Sequence, residues 1–192
     1  ATPEEQIILA RYVGWGGLAN AFSSTASGWE NEYQELKSLL TDVEYKAAMN
    51  STITAYYTEP DLIRHIYRAL ERFGFEGGPD RKILDPGMGT GNFYSVLPEQ
   101  YQGTKLYGVE LDSITGRIAK QLYPKADITV GGFETTDRRD FFDLAIGNVP
   151  FGQYQVNDKV YNKLNFNIHN YFFAKALDQV RPGGVVAFVT SR

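Results

Sequence analysis

The chain has no cysteine, and this excludes disulfides and any thiolate metal site. Its two histidines, His65 and His169, are far apart in sequence, so no histidine-based metal site is expected. Long apolar runs are missing too. Nothing approaches the roughly 20 residues that a membrane helix needs, so no membrane partner is expected. The leading Ala1-Thr2-Pro3-Glu4-Glu5 is acidic and unlike a signal peptide. Internal repeats and low-complexity tracts are absent. A soluble, cytoplasmic protein is the simplest expectation.

What is present is ample material for a core. Of the 192 residues, 43% are hydrophobic and 14% aromatic, a length and composition that suit one domain with an appendage. The net charge of -4 is unevenly spread. Residues 1–80 carry 6 Lys and Arg against 12 Asp and Glu, whereas residues 81–192 carry 13 against 11. Any contact with phosphate is therefore expected from the second part.

The leading segment reads as helical. Thr2 is an N-cap with Pro3 at the first helical position, which predicts a helix over 3–12 that stops before Gly14-Trp15-Gly16-Gly17. Trp15 either packs beneath the main domain or lines a site. A second helix is expected from Glu32 to Leu40. A third opens at Thr41, where Glu44 completes a capping-box pattern, and runs to about Met49. Residues 1–51 are thus read as an N-terminal helical extension. Ser51 to Thr58 is β-branched and aromatic, hence extended. Pro60-Asp61 then starts an amphipathic helix whose Leu62, Ile63, Ile66, Leu70 and Phe73 share a face.

Beyond Gly77-Gly78-Pro79 strands and helices alternate. Strands are predicted at 82–85, 105–110, 127–130, 142–147 and 185–190, with helices at 92–98, 112–122 and 168–180, the last of them stopped by Pro182-Gly183-Gly184. This implies an α/β fold with a doubly wound, mostly parallel sheet and right-handed crossovers. A long polar and aromatic loop spans 152–167. There Lys159 and Lys163 are placed to meet phosphates and Tyr154, Tyr161 or Phe166 to support a base; a solvated loop is the alternative. His169 reads as a helix-start residue.

The chain is organised around Leu84-Asp85-Pro86-Gly87-Met88-Gly89-Thr90-Gly91-Asn92-Phe93, a glycine-rich turn between a strand and a helix. Such turns bring backbone close to a ligand. A phosphate-binding P-loop would end in Gly-Lys-Ser/Thr, which is absent. A dinucleotide fingerprint has glycines at relative positions 1, 3 and 6; counted from Gly87, the sixth position is Asn92 and the third glycine falls at the fifth.

That spacing, with Asp85 two residues ahead, resembles the first motif of the S-adenosylmethionine-dependent methyltransferases. The resemblance implies S-adenosyl-L-methionine as cofactor, held by Asp85, Gly87, Gly89, Gly91 and Asn92, with Asp85 pairing the ammonium group of the methionine part. Glu110, ending the second strand, would accept the ribose hydroxyls, and Leu111 or Ile114 would pack on the adenine. Gly131-Gly132-Phe133-Glu134 stands where related enzymes often have Asp-Phe. Phe133 keeps the aromatic position, but Gly132 replaces the acid that reads the adenine amine, leaving Glu134 or a backbone carbonyl for that contact.

Asn148-Val149-Pro150-Phe151, directly after the fourth strand, is similar to the Asn/Asp-Pro-Pro-Tyr/Phe motif of the N6-adenine DNA methyltransferases. The residue types suit the chemistry, because an exocyclic amine conjugated to a ring has a delocalised lone pair. The Asn148 side-chain oxygen and the Val149 carbonyl can each accept one amine hydrogen and aim the lone pair at the methyl group, while Phe151 offers a stacking face to a flipped base. Val149 departs from the family's proline, although Pro150 still biases it toward extended backbone. Tyr56-Tyr57-Thr58-Glu59-Pro60 looks like the Tyr/Phe-Thr-Pro element of one circular order of these enzymes, with a glutamate inserted. By that resemblance Tyr57 and Thr58 belong to the cofactor site. With Val13-Gly14-Trp15-Gly16-Gly17 and Gly147-Asn148-Val149-Pro150-Phe151-Gly152, the chain also resembles the methylase domain of large methylase-helicase proteins of bacterial conjugative elements and phages.

The resemblance covers residues 52–192 and implies a catalytic core that acts on a flipped adenine in DNA. It further implies a core cut after the fifth strand, other domains on a longer parent chain, and self-association through an exposed last strand. Two other functions stay open: methylation of another conjugated amine, in protein glutamine or RNA, and a non-catalytic module that binds cofactor or DNA.

Overall fold

A computed structural model describes residues 1–53 and 57–190. Three helices come first: α1 (Pro3–Leu9), α2 (Glu30–Leu39) and α3 (Asp42–Ser51). Both capping boxes form, Thr2 with Glu5 and Thr41 with Glu44. The expected extended segment 51–58 is not seen as such. Ser51 closes α3, Thr52 and Ile53 turn, and 54–56, including Tyr56, lie outside the described residues.

Helix α4 (Pro60–Arg72) buries Ile63, Tyr67 and Leu70, whereas Leu62 and Phe73 are exposed. The buried stripe is therefore rotated from the expected one, because Tyr67 is drawn inward to donate its hydroxyl to the Phe93 carbonyl.

The remainder alternates: β1 (Lys82–Asp85), α5 (Asn92–Ser95), β2 (Lys105–Glu110), α6 (Ser113–Leu122), β3 (Asp127–Val130), β4 (Phe142–Asn148), α7 (Ile168–Gln179) and β5 (Val180–Val189). Helix α5 is a single turn, shorter than predicted. The five strands pair in parallel in the order β3-β2-β1-β4-β5. Two apolar clusters cover the sheet, one built on Ile63, Tyr67 and Ile83, the other on Phe133, Tyr171 and Phe172. The order reverses between β1 and β4, which is where open α/β sheets hold their ligands, at the carboxyl ends of the strands.

Strand β5 starts earlier than predicted. Phe142 pairs with Val180 but Leu144 with Val185, so Arg181 to Gly184 bulge out before the continuous register begins. The proline and two glycines therefore interrupt a strand; the helix has already ended at Gln179.

The N-terminal helices dock on α6. The Gln6 side chain donates to the Gln121 carbonyl at 2.6 Å, and Arg117 pairs with Glu44 at 2.7 Å. Trp15 packs edge-on against Tyr12 and Phe22, and its indole N–H donates to Asp112, the buried N-cap of α6, at 3.2 Å. Of its two expected roles, it takes the packing one.

Candidate active site

The ends of β1, β2 and β4 open onto one cavity of about 460 Å³. Asp85, Glu110 and Asn148 are the last residues of those strands, and all three line it. Gly87, Met88 and Gly89 of the glycine turn line it, whereas Gly91 is not among the lining residues. Gly89 and Gly91 have φ of +56° and +94°, the left-handed backbone that glycine adopts without strain. A side chain at Gly91 would also strike the Tyr123 ring, whose hydroxyl donates to the Gly91 carbonyl at 2.9 Å. Gly87 differs from what the sequence suggested. Its φ is ordinary, and an added methyl group would meet only the Asn148 carbonyl oxygen at 3.7 Å and Pro150 Cδ at 3.8 Å. The turn and the Asn148 tetrapeptide thus face each other across a van der Waals gap.

Glu110 holds the turn in place. One carboxylate oxygen accepts the Gly89 N–H at 2.9 Å and the other the Asp112 N–H at 2.8 Å. Burial nevertheless lifts its pKa to about 7, although those two amides pull it down. Asp85 is almost fully buried, and its pKa is pushed to about 8, first by desolvation and further by the Glu110 charge, against one hydrogen bond from the Gly87 N–H at 3.2 Å. Gly147 makes room for it, since any side chain there would overlap the Asp85 carboxylate.

Thr58 is buried and lines the cavity, and its hydroxyl has no hydrogen-bond partner among the described residues. Tyr57 also lines it and lies over the turn, 3.4 Å from where a Gly89 methyl would sit, with its phenol pKa raised by burial. Asn92 and Leu111 line the wall, and so does Thr115, where the sequence offered Ile114. Phe133 is buried against Phe172 and Tyr171 and borders the cavity. Gly131 and Gly132 border it as well. A side chain at Gly132 would collide with the Glu134 carboxylate, so that carboxylate already covers the space into which an acid at position 132 would project.

The tetrapeptide divides. Asn148 and Pro150 face the cavity, while the Val149 side chain is buried in the core and its N–H donates to the Val189 carbonyl at 3.2 Å. Phe151 is half-buried and is not among the lining residues, contrary to the stacking face expected of it. Aromatic surface comes instead from Tyr154 and Phe172. Gln155, Val156 and Ile168 complete that side, and Asn50, Ser51 and Ile53 bring the N-terminal segment into the wall. Nothing in the sequence pattern distinguishes these last three. Among the described residues no cluster of His, Asp and Glu is arranged to hold a metal ion.

The fold is that of the S-adenosylmethionine-dependent methyltransferases. One such O-methyltransferase from Thermotoga maritima superposes with a TM-score of 0.51 over 80% of this chain and 52% of its own, at 18% identity. The type I restriction-modification methyltransferase subunit of Streptococcus thermophilus gives 0.51 over 87% and 44%, at 17% identity. The chain's relatives include restriction-associated and methyltransferase sequences. It is 27% identical over 161 residues to the defense against restriction protein B of Escherichia phage P1, covering 81% of this chain but 7% of that protein. It is 32% identical over 96 residues to the type II methyltransferase M.CvrRI of Paramecium bursaria Chlorella virus XZ-6E, half of this chain and 24% of the enzyme. The rRNA N(6)-adenosine-methyltransferase metl-5 of Caenorhabditis elegans is 29% identical over 77% of this chain and 68% of its own length. No family model matches the chain. It therefore spans less than a quarter of the first two relatives.

Proposed function

We propose that this chain is an S-adenosylmethionine-dependent methyltransferase acting on the N6 amine of adenine in DNA, and that it forms part of a longer protein. The observation that carries the reading is the apposition of the glycine turn and the tetrapeptide, with Gly87 facing the Asn148 carbonyl and Pro150 in one cavity. The residues fit the cofactor. The buried Asp85 carboxyl, with its raised pKa, suits a cationic group, the Glu110 carboxyl suits neutral hydroxyl donors, and the Thr58 hydroxyl, without a partner among the described residues, suits an acceptor. Asp85 would pair the ammonium group, Glu110 the ribose hydroxyls through its remaining lone pairs, Thr58 the carboxylate, and Glu134 the adenine amine. Tyr57, Leu111 and Phe133 would supply apolar wall.

When bound, the cofactor supplies an electrophilic methyl group. The chain's own task is to hold the acceptor amine. The Asn148 side-chain oxygen and the Val149 carbonyl would each accept one amine hydrogen, keeping the lone pair on nitrogen and directed into the cavity, so that rate comes mainly from positioning. The flipped base would lie beside Tyr154 and Phe172. Residues 1–51 serve as a docked extension of the core at 52–192, contributing Asn50 and Ser51 to the cavity.

A second reading, an RNA adenosine as acceptor, is favoured by the likeness to the C. elegans rRNA enzyme. Transfer of labelled methyl groups to DNA and RNA oligonucleotides decides between them. Asn148→Ala should abolish transfer and leave cofactor binding within about twofold. Undiminished transfer by that variant would overturn the assignment of the site.

A further inference from the structure

Beside the main cavity lies a second one, of about 280 Å³. The two adjoin at Gln155 and Val156, which line both. The second cavity has an unusual lining for a loop. Four carboxamides, Gln155, Asn157, Asn162 and Asn165, surround it together with the rings of Tyr161, Phe166 and Tyr171. Among the described residues no charged side chain lines it.

The cavity is firmly built. Beneath it Asp158 is buried, accepting the Tyr171 hydroxyl and the buried Lys175 ammonium, each at 2.8 Å, and the Val160 N–H at 3.0 Å. The Tyr161 hydroxyl is anchored on Asp178 at 2.5 Å. Asn162 receives the Asp158 N–H at 2.9 Å and donates to Asn157 at 2.8 Å. Asn165 has φ +50°, and its carbonyl accepts the Gln155 side chain at 3.2 Å. The buried Asp158–Lys175 pair and the hydrogen bonds of Gln155 and Asn162 fix the loop around the hollow, and Asn165 turns it in the left-handed backbone that asparagine tolerates.

Carboxamides with aromatic rings are the side chains that read and stack nucleobases. Asn and Gln match the donor and acceptor edge of a base, and an aromatic face accepts any base; here the half-buried Phe166 offers that face, since Tyr161 and Tyr171 are buried edge-on against each other. Lys159 and Lys163 are exposed on the same loop, which places cations within its reach of a backbone. We infer that this second cavity holds the DNA nucleotide adjacent to the one that is methylated. The inference rests on the proposed function above and extends it, because the chain itself then selects one flanking base, on one side of the target.

The test is fluorescence anisotropy of labelled single-stranded DNA oligonucleotides with this chain and S-adenosylmethionine. One series carries an abasic site at the target adenine, a second at the 5′ neighbour and a third at the 3′ neighbour. Removing one neighbour, and not the other, should weaken binding roughly 5- to 150-fold, the worth of a stacked base. Asn165→Gly removes one amide while keeping a residue that tolerates left-handed backbone and the carbonyl that Gln155 uses. Asn157→Asp keeps the acceptor for Asn162 and removes the donor. Both should retain sensitivity to the target abasic site and lose most of the selectivity among flanking bases. Binding that responds to the target position but equally to both neighbours, or selectivity unchanged in both variants, would overturn the inference and leave the methyltransferase reading standing. Binding indifferent to the target adenine would sink both.

Discussion

A buried carboxyl group whose pKa is raised by desolvation makes the stability of the protein depend on pH, and Asp85 is such a group. Its ordinary pKa of 3.8 rises to about 8 in the fold. The folded state therefore holds a proton that the unfolded chain has released between those values. Stability is unaffected below about pH 4, falls by about 1.4 kcal/mol per pH unit between pH 4 and 8, and levels off above. From pH 5 to pH 8 Asp85 alone removes roughly 4 kcal/mol. Glu110, lifted from 4.5 to about 7, adds a parallel loss that ends near neutrality. Asp85→Asn keeps an acceptor for the Gly87 N–H and removes the titration. Urea denaturation from pH 5 to 8.5 should show a variant that is more stable than the parent at pH 8, by a margin that grows with pH, and that binds S-adenosylmethionine at least tenfold more weakly. In the parent, cofactor binding should release protons near pH 7 and weaken as pH falls, since the ligand favours the ionised carboxylates. Parallel pH profiles for parent and variant would refute the argument that Asp85 is held protonated by burial.

The three glycines should separate by function. Gly91→Ala adds a side chain at φ +94° against the Tyr123 ring and should cost about 2 kcal/mol or more in denaturation. Gly87→Ala meets only ordinary contacts and should stay within about 0.5 kcal/mol of the parent, yet bind cofactor at least tenfold more weakly; equal binding would show that no ligand approaches there. Trp15→Phe preserves ring packing and removes the donor to Asp112, which should cost about 1.5 kcal/mol, read by thermal unfolding. Glu134→Gln should weaken S-adenosylmethionine binding about tenfold. An analogue whose adenine amine is replaced by oxygen should show no such loss, and an equal loss with that analogue would assign Glu134 elsewhere.

The strands were legible because their code is local. Lys82–Asp85, Lys105–Glu110 and Asp127–Val130 are short apolar runs bounded by turn residues, and the structure returns those limits. The helix N-termini were legible for the same reason, since Thr2 and Thr41 carry their caps with them. Where the reading slipped, a distant partner decides. Tyr67 turns inward for the Phe93 carbonyl, 26 residues away, at the expense of Leu62 and Phe73. Val180 is extended because Phe142 pairs with it, across a bulge that a proline and two glycines disguise as a helix stop.

The lining of the candidate site was legible where a residue type stands out at a strand end or turn, and hidden where only a position brings a residue to the cavity. A carboxylate at a strand end, or the Asn148 that stands two residues ahead of Pro150 at the end of the fourth strand, declares itself. Asn50 and Ile53 do not, because they reach the cavity only through the docking of α3 on α6 and carry no pattern of their own. Gly132 is the instructive intermediate. Read alone, it is a missing acid. The structure puts the carboxylate of the exposed Glu134 in the space that a side chain at 132 would enter, so an acid there would have to displace it. Gly132 and Glu134 are therefore one device, and restoring an aspartate at 132 without removing Glu134 should not improve cofactor binding. Two carboxylates would then compete for one place at the cavity wall, and like charges repel there.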